Sequence, residues 1–410
     1  MATTFASNDP LTQKKWAGGT MLYGLQNMAL TPLMGNTPES IVYVKKDLTK
    51  PAGDTLIFNA DEDDTDEAGQ GDDGSTLGNE GAMRRRNLSV MIHERSHAQK
   101  PAGKMTMQRT DVFRAEGFRG FAKRKLGIWF KVALEKDLVN TGAGLYNENS
   151  SGAAIETINE SYPTANRIYY GGQSIGATPA LGATYATDAL LTAGTKTDNL
   201  FGTLVINKIR ANALAAQPRF RCGAFYQTPR TPDGSIDPRN RLAQKLVAEM
   251  LAVLAHPFQI NSMRSEVGTI GWNQMVAACA ARGDKHPIFR AGAVTWNGCV
   301  VQEYDRVPFR TGAGGTTLAE GFLLNANRDA TTDACANTRS VCRAMLLGAQ
   351  AICLGWGQML QWYEEWYDAR IPRVVIDMIY GLKRTIFNAH GTTTPGEDEA
   401  IYCIDTEVIP

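Results

Sequence analysis

Asn87-Leu88-Ser89-Val90-Met91-Ile92-His93-Glu94-Arg95-Ser96-His97 can be read two ways, and the choice between them decides the fold. His93, Glu94 and His97 spell H-E-x-x-H, the zinc-peptidase signature, in a chain with five histidines in 410 residues. That chemistry needs a helix, where positions i and i+4 share a face, both imidazoles reach one metal and the glutamate activates its water. The local pattern is extended instead. Leu88, Val90 and Ile92 alternate with Asn87, Ser89 and Met91, and Pro101-Ala102-Gly103 follows soon after. In a strand rising about 3.3 Å per residue, His93 and His97 stand roughly 13 Å apart, too far to share a zinc. Glu116, the nearest third ligand, falls early in a separate helix. The pattern predicts a strand, with neither metal nor cofactor.

Upstream, residues 1–40 scatter their apolar groups (Trp16, Met21, Leu22, Tyr23, Leu25) and read as an extended arm with at most one short helix. Strands are expected at Ser40–Val44 and, after the Pro51-Ala52-Gly53-Asp54 turn, at Thr55–Ala60. Asp61–Asp73 then holds eight acids in thirteen residues, Asp61, Asp63, Asp64 and Glu67 among them. Such a block must be solvated or paired. It lacks the D-x-D-x-D-G spacing of a calcium loop. Basic Arg84-Arg85-Arg86 leads into the Leu88–Ile92 strand. A hairpin with an acidic tip and a basic return would project from a body and make its contacts with other copies, so these acids and arginines are candidate intersubunit residues.

Downstream, about Asp111 to Asn140 lacks proline and carries Phe118, Ala122, Leu126, Trp129 and Ala133 at helical steps. Asp111 is the expected N-cap and Gly142 the expected stop. Thirty residues make a rod of about 45 Å. Gly117, Gly120 and Gly127 inside it, each about 1 kcal/mol worse than alanine, imply close backbone approach or a bend. Arg119, Lys123, Arg124 and Lys125 give a basic flank: a solvated face, or a weak, nonspecific phosphate contact.

The second half reads as a mixed α/β layer. Val247–Ala255 is a buried strand ending at His256-Pro257, and Trp272, Met275, Val276 and Cys279 mark a helix. Val294–Val301 turns at Asn297-Gly298, the strongest hairpin signal in the chain. Ala344–Leu360 is uncharged but short and glycine-containing, a core segment rather than a membrane span. Strands close the chain at Arg373–Tyr380 and Ile401–Ile404. Gly172-Gln173-Ser174-Ile175-Gly176 matches G-x-S-x-G, but a nucleophile elbow needs a helix springing from the serine, and Thr178-Pro179 follows instead.

Composition excludes further classes. Lys plus Arg equals Asp plus Glu at 42 each, so no net charge draws the molecule to nucleic acid or a membrane. Seven cysteines form no C-x-x-C pair and suit free buried thiols. The N-terminus shows no basic segment leading into an apolar run, so no signal peptide is expected.

Taken together, Leu77-Gly78-Asn79-Glu80, Val90-Met91-Ile92, His97-Ala98, Gly103-Lys104-Met105, Gln108-Arg109-Thr110-Asp111 and Leu126-Gly127-Ile128-Trp129 resemble the major capsid proteins of N-four-like tailed bacteriophages. The resemblance continues through Leu254-Ala255-His256-Pro257, Arg282-Gly283-Asp284-Lys285-His286-Pro287, Trp296-Asn297-Gly298, Glu303-Tyr304-Asp305-Arg306-Val307, Leu346-Leu347-Gly348-Ala349-Gln350-Ala351 and Gly381-Leu382-Lys383. It covers roughly residues 50–405, and only the acidic Asp61–Asp73 tip is unmatched. It implies an α+β fold of the Hong Kong 97 type: N-terminal arm 1–40, extended loop 41–108, peripheral domain with spine helix 109–200, axial domain 201–343 and a C-terminal return 344–410. The implied function is a self-assembling icosahedral shell around double-stranded DNA. The implied partners are further copies in hexamers and pentamers, scaffolding, portal and decoration proteins, and packaged DNA, with no membrane. A zinc peptidase using His93, Glu94 and His97, or a serine hydrolase using Ser174, are the readings that compete with it.

Overall fold

The computed structural model describes residues 10–28, 30–46, 53–61, 85–100, 117–144, 167–175, 179–185, 191, 199–216, 220–227, 245–266, 294–310, 340–367, 371–386 and 398–408. The predicted Trp272 helix, the Asp111 cap and the acidic block beyond Asp61 lie outside them.

Two sheets share one long helix. The first is five-stranded, in the order β1 (Met34–Gly35), β2 (Val42–Lys45), β14 (Ile352–Tyr367), β15 (Ile371–Arg384), β5 (His93–Gln99). Its centre is the long β14–β15 hairpin, and β5 forms one edge, antiparallel to β15 with Ile376 opposite His97 and Tyr380 opposite His93. One face packs on α1 (Pro10–Asn27) and α2 (Gly117–Ala143): Trp356, Trp362, Val374, Ile376, Met378 and Tyr380 meet Ala17, Ala122, Leu126, Phe130 and Leu134 in one core.

The second, nine-stranded sheet runs β10 (Val294–Trp296), β11 (Cys299–Glu303), β9 (Lys245–Ala255), β13 (Ser340–Leu347), β16 (Ile401–Val408), β6 (Ile168–Gln173), β7 (Leu181–Tyr185). Here β8 (Gly223–Gln227) pairs with β9, and β12 (Phe309–Arg310) with β13. Residues alternate between two cores. Ala252 and Leu254 join the helix-bearing core, while Leu251, Val253 and Ala255 pack with α3 (Thr203–Ala215) and α4 (Pro257–Arg264). Burial on both faces explains why the second half of β9, Met250–Ala255, reads as an unbroken apolar run rather than an alternating one. Sheet membership cuts across the sequence-drawn segments, because β6, β7 and β16 join the sheet of residues 201–343.

Two expectations need correction. The N-terminal arm is not extended through residues 10–27: it is an 18-residue helix. Its amphipathic signal is weak because glycines take up positions of α1 that face α2. A Cβ on Gly24 would meet Phe130 Cδ1 at 2.5 Å and the Gly127 carbonyl at 3.1 Å, and one on Gly127 would meet Tyr23 Cδ1 at 2.8 Å. The expected close approach in the long helix is thus a glycine-on-glycine crossing. Second, Gly142 does not stop α2; the helix runs through Ala143, and Gly144 takes the left-handed φ of +74°. The uncharged segment 344–360 is buried core, as expected, and is divided between two strands in different sheets, broken at Gln350 with φ +56°.

The Asn297-Gly298 hairpin is as expected, with φ of 43° and 73° at the two turn residues, both in the left-handed region that a type I′ turn requires.

Candidate functional site

A two-stranded antiparallel hairpin is formed by β3 (Thr55–Asp61) and β4 (Arg85–Met91), in register from Thr55 opposite Met91 to Asp61 opposite Arg85. Strand alternation sends Leu56, Phe58, Leu88 and Val90 inward, where they cluster with Cys353, Tyr43 and Ile92. Ile57 and Met91 on the other face stay 57% and 47% exposed. The hairpin base lies on the sheet face opposite α1 and α2. Glycines make room for it: a Cβ on Gly355 would meet Leu56 at 2.4 Å, one on Gly357 would meet Ile92 at 2.5 Å, and one on Gly381 would overlap the Met91 carbonyl at 1.9 Å. The molecule is therefore two-sided, helices on one side and hairpin on the other. Asp63, Asp64, Glu67 and Arg84 lie outside the described residues. Asp61, Arg85 and Arg86 are placed by backbone register alone.

The peptidase motif falls on β5, an edge strand. His93, Arg95 and His97 take one face, and Glu94 and Ser96 the other, so the glutamate points away from both imidazoles. His97 stacks on Trp129 of α2, ring centroids 4.6 Å apart, and contacts Gln99 at 3.1 Å. Burial holds its pKa below the usual imidazole value. Glu94 sits diagonally from Asp377 on β15, and burial together with this second carboxyl raises the Asp377 pKa. Among the described residues no group of three or more His, Cys, Asp or Glu is placed to hold a metal.

Ser174 directly follows β6, where the chain reverses toward the antiparallel β7. Its N–H donates to the Ala180 carbonyl at 2.9 Å, and its Oγ accepts from the Ala180 N–H at 3.0 Å. The next described element is the antiparallel β7, not a helix. The five described cysteines are free, and burial pushes the Cys299 and Cys353 thiols up to about 12.

The basic flank divides. Arg124 and Lys125 are exposed, each over the Phe121 ring at 5.8 Å, with Ile128 exposed beside them. Lys123 turns instead toward α1, its Cε 2.9 Å from where a Gly19 Cβ would stand, so its stem serves the helix crossing. Arg119 lies within α2. Lys14 and Lys15 of α1 are exposed.

The sequence reading missed the polar contacts that hold the C-terminal half of α2. Asp137, fully buried, accepts hydrogen bonds from Arg95 of β5 and from the Tyr380 hydroxyl of β15. Burial opposes the Arg95 charge, yet Asp137 and Tyr380 outweigh it and raise the guanidinium pKa. Glu135, 2% exposed, faces the other way toward Arg306 at 3.7 Å, beyond β11. Burial first, then this carboxylate, drives the neighbouring Tyr304 phenol well above its usual range. The last helical carbonyls are also met. Arg384 donates to the Gly142 carbonyl and pairs with Asp398 at 2.8 Å; Arg343 donates to the Ala143 carbonyl at 3.1 Å and grips Asp405 at 2.8 and 2.7 Å. Orphan carbonyls and the negative helix end are thus satisfied by cations that carry their own counterions. The signal for the two acids was their spacing: two residues apart in the apolar stretch Val132–Val139, they cannot both reach solvent on one face.

A glycine-seated hairpin opposite a clamped long helix is what the described residues build around this sheet. The family model for phage capsid protein matches residues 4–409. The chain belongs to the phage capsid protein family. This capsid protein is similar in structure to the capsid of Ralstonia phage GP4, with a TM-score of 0.64 at 20% identity over 100% of this chain and 99% of that one. It is also similar to the capsid of cyanophage Pam1 (TM-score 0.54, 19% identity, 92% of each chain) and the head of Helicobacter pylori bacteriophage KHP40 (TM-score 0.59, 10% identity, 93% of this chain and 91% of that one). No curated sequence matches the chain. The capsid protein has the tailed-phage capsid fold, and its function is structural, as a major capsid protein of the virion.

Proposed function

We propose that the capsid protein closes its shell as hexamers and pentamers around double-stranded DNA, with the helix side turned inward and the hairpin side reaching across to neighbouring copies. The observation that carries this reading is the two-sidedness of the five-stranded sheet. Exposed Lys14, Lys15, Arg124 and Lys125 lie on its helix side, while the acidic Asp61–Asp73 segment continues from a hairpin seated on its other side. A polyanion fits the first side and repels the second. Segment roles follow the same scheme: arm 1–40, extended loop 41–108, peripheral part with α2, axial part around 201–343. Scaffolding, portal and decoration proteins, and assembly in the host cytoplasm, belong to it as well. So does the lack of peptidase and hydrolase activity. His93 and His97 lie on an extended strand, and Ser174 directly follows β6.

The sided reading is tested by single Lys125→Cys and Ile57→Cys variants assembled into DNA-filled shells and treated with a bulky maleimide. Lys125→Cys should label only after the shells are opened. Labelling of Lys125→Cys in intact shells, as fast as in opened ones, contradicts the inward placement of α2.

A further inference from the structure

Glu135 and Asp137 are two residues apart on α2, so their side chains leave the helix about 200° apart. Each is buried, and each is met by an arginine from a different sheet. Arg95 belongs to β5, the edge strand separated from the hairpin's return strand β4 by Ile92 alone, and Arg306 follows β11 of the nine-stranded sheet. Tyrosines repeat the arrangement, with Tyr380 donating to Asp137 and Tyr304 beside Glu135. On the Asp137 side, β5 also rests on the helix through His97 stacked on Trp129. Asp137 Oδ1 has no hydrogen-bond partner despite complete burial, so the carboxylate keeps acceptor capacity for a shifted arginine.

We propose that α2 is a two-sided latch bar: Asp137 fastens the hairpin-bearing strand β5, Glu135 fastens the nine-stranded sheet, and the two fastenings release independently. A buried carboxylate that loses its arginine is strongly disfavoured, so intermediate positions of β5 are poorly populated and the contact is all-or-none. Release on the Asp137 side frees β5 and the hairpin to re-seat while the nine-stranded sheet stays packed. The groups facing Asp137 are Arg95 from β5, Tyr380 from β15 and Lys136 on α2 itself. This inference concerns the single chain and does not depend on the shell geometry proposed above.

Hydrogen–deuterium exchange of the full, unassembled chain tests it. Asp137→Asn should speed exchange of peptides covering 93–99 by about tenfold or more, with the strand opening as one correlated unit, while 340–347 and 401–408 keep wild-type protection. Glu135→Gln should give the complementary footprint, faster exchange around 299–307 with 93–99 unchanged. Adding Arg95→Met to Asp137→Asn should restore part of the protection, because it removes the unpaired cation. If Asp137→Asn does not fold, Tyr380→Phe removes one donor, keeps the charge pair, and should give the same footprint at smaller amplitude. Even loosening of both sheets by either acid variant, gradual fraying of β5 without correlated opening, or unchanged exchange at 93–99 would each overturn the latch.

Discussion

At the scale of single residues, His93, Glu94 and His97 show how one string of letters is decided by the period around it. The alternation before His93 made the strand legible, and the structure gives each group a different duty: His97 stacks on Trp129, and Glu94 crowds Asp377. The crowding has a pH signature. Asp377 is raised in the folded chain, so its ionised form opposes folding above that raised value, and the penalty vanishes below the unfolded carboxyl value. Glu94→Gln should therefore stabilise the subunit at pH 7 by about 0.5 kcal/mol, at the low end because the pair is partly solvated and screened. The gain should fade as the pH falls through 4, and equal melting shifts at both pH values would contradict this. His97→Ala should lower the melting temperature without releasing any zinc detectable by elemental analysis. Other residues were illegible for a plain reason. Arg95 meets Asp137 across 42 positions, and Arg384 meets the Gly142 carbonyl across 242. Nothing local in the sequence marks such pairings.

At the scale of elements, strands with a clear period or turn chemistry were found from sequence, including β3, β9 and the Asn297-Gly298 hairpin. α1 was not, because a helix that packs through Gly19 and Gly24 carries little apolar stripe. The glycine contacts give two tests. Gly24→Ala gains up to about 1 kcal/mol of helix propensity but drives a methyl into Phe130 and the Gly127 carbonyl. A net loss of about 1–2 kcal/mol is expected in denaturant melts. A more stable variant would show that the crossing is looser than described. Gly381→Ala places its Cβ on the Met91 backbone carbonyl, which no side-chain rotation relieves. It should unseat the hairpin base, seen as faster proteolysis around residues 53–61 and 85–91 with α3 and β9 intact.

At the scale of the whole molecule, the sequence carried the fold class through motifs spread over its length, but not the sorting of strands between two sheets. That sorting depends on β16 returning to pair with β13 and β6, contacts more than fifty residues apart in the chain. The zero net charge hides an uneven distribution along the sequence: eight acids fall in Asp61–Asp73, while Lys14, Lys15, Arg124 and Lys125 are exposed on α1 and α2. Exposed pairs are worth about 0–1 kcal/mol each, so one contact changes little, yet repetition around a closed shell multiplies it. Replacing Arg84, Arg85 and Arg86 with alanine should reduce shell yield, most at low salt and less as salt screens the contact, while the subunit stays folded by circular dichroism. The most direct test of the central claim is electron microscopy of the purified chain, expressed together with the scaffolding protein proposed above. Closed shells, or the capsomers that build them, are the predicted result. A monodisperse monomer persisting at high concentration with scaffold present would contradict it.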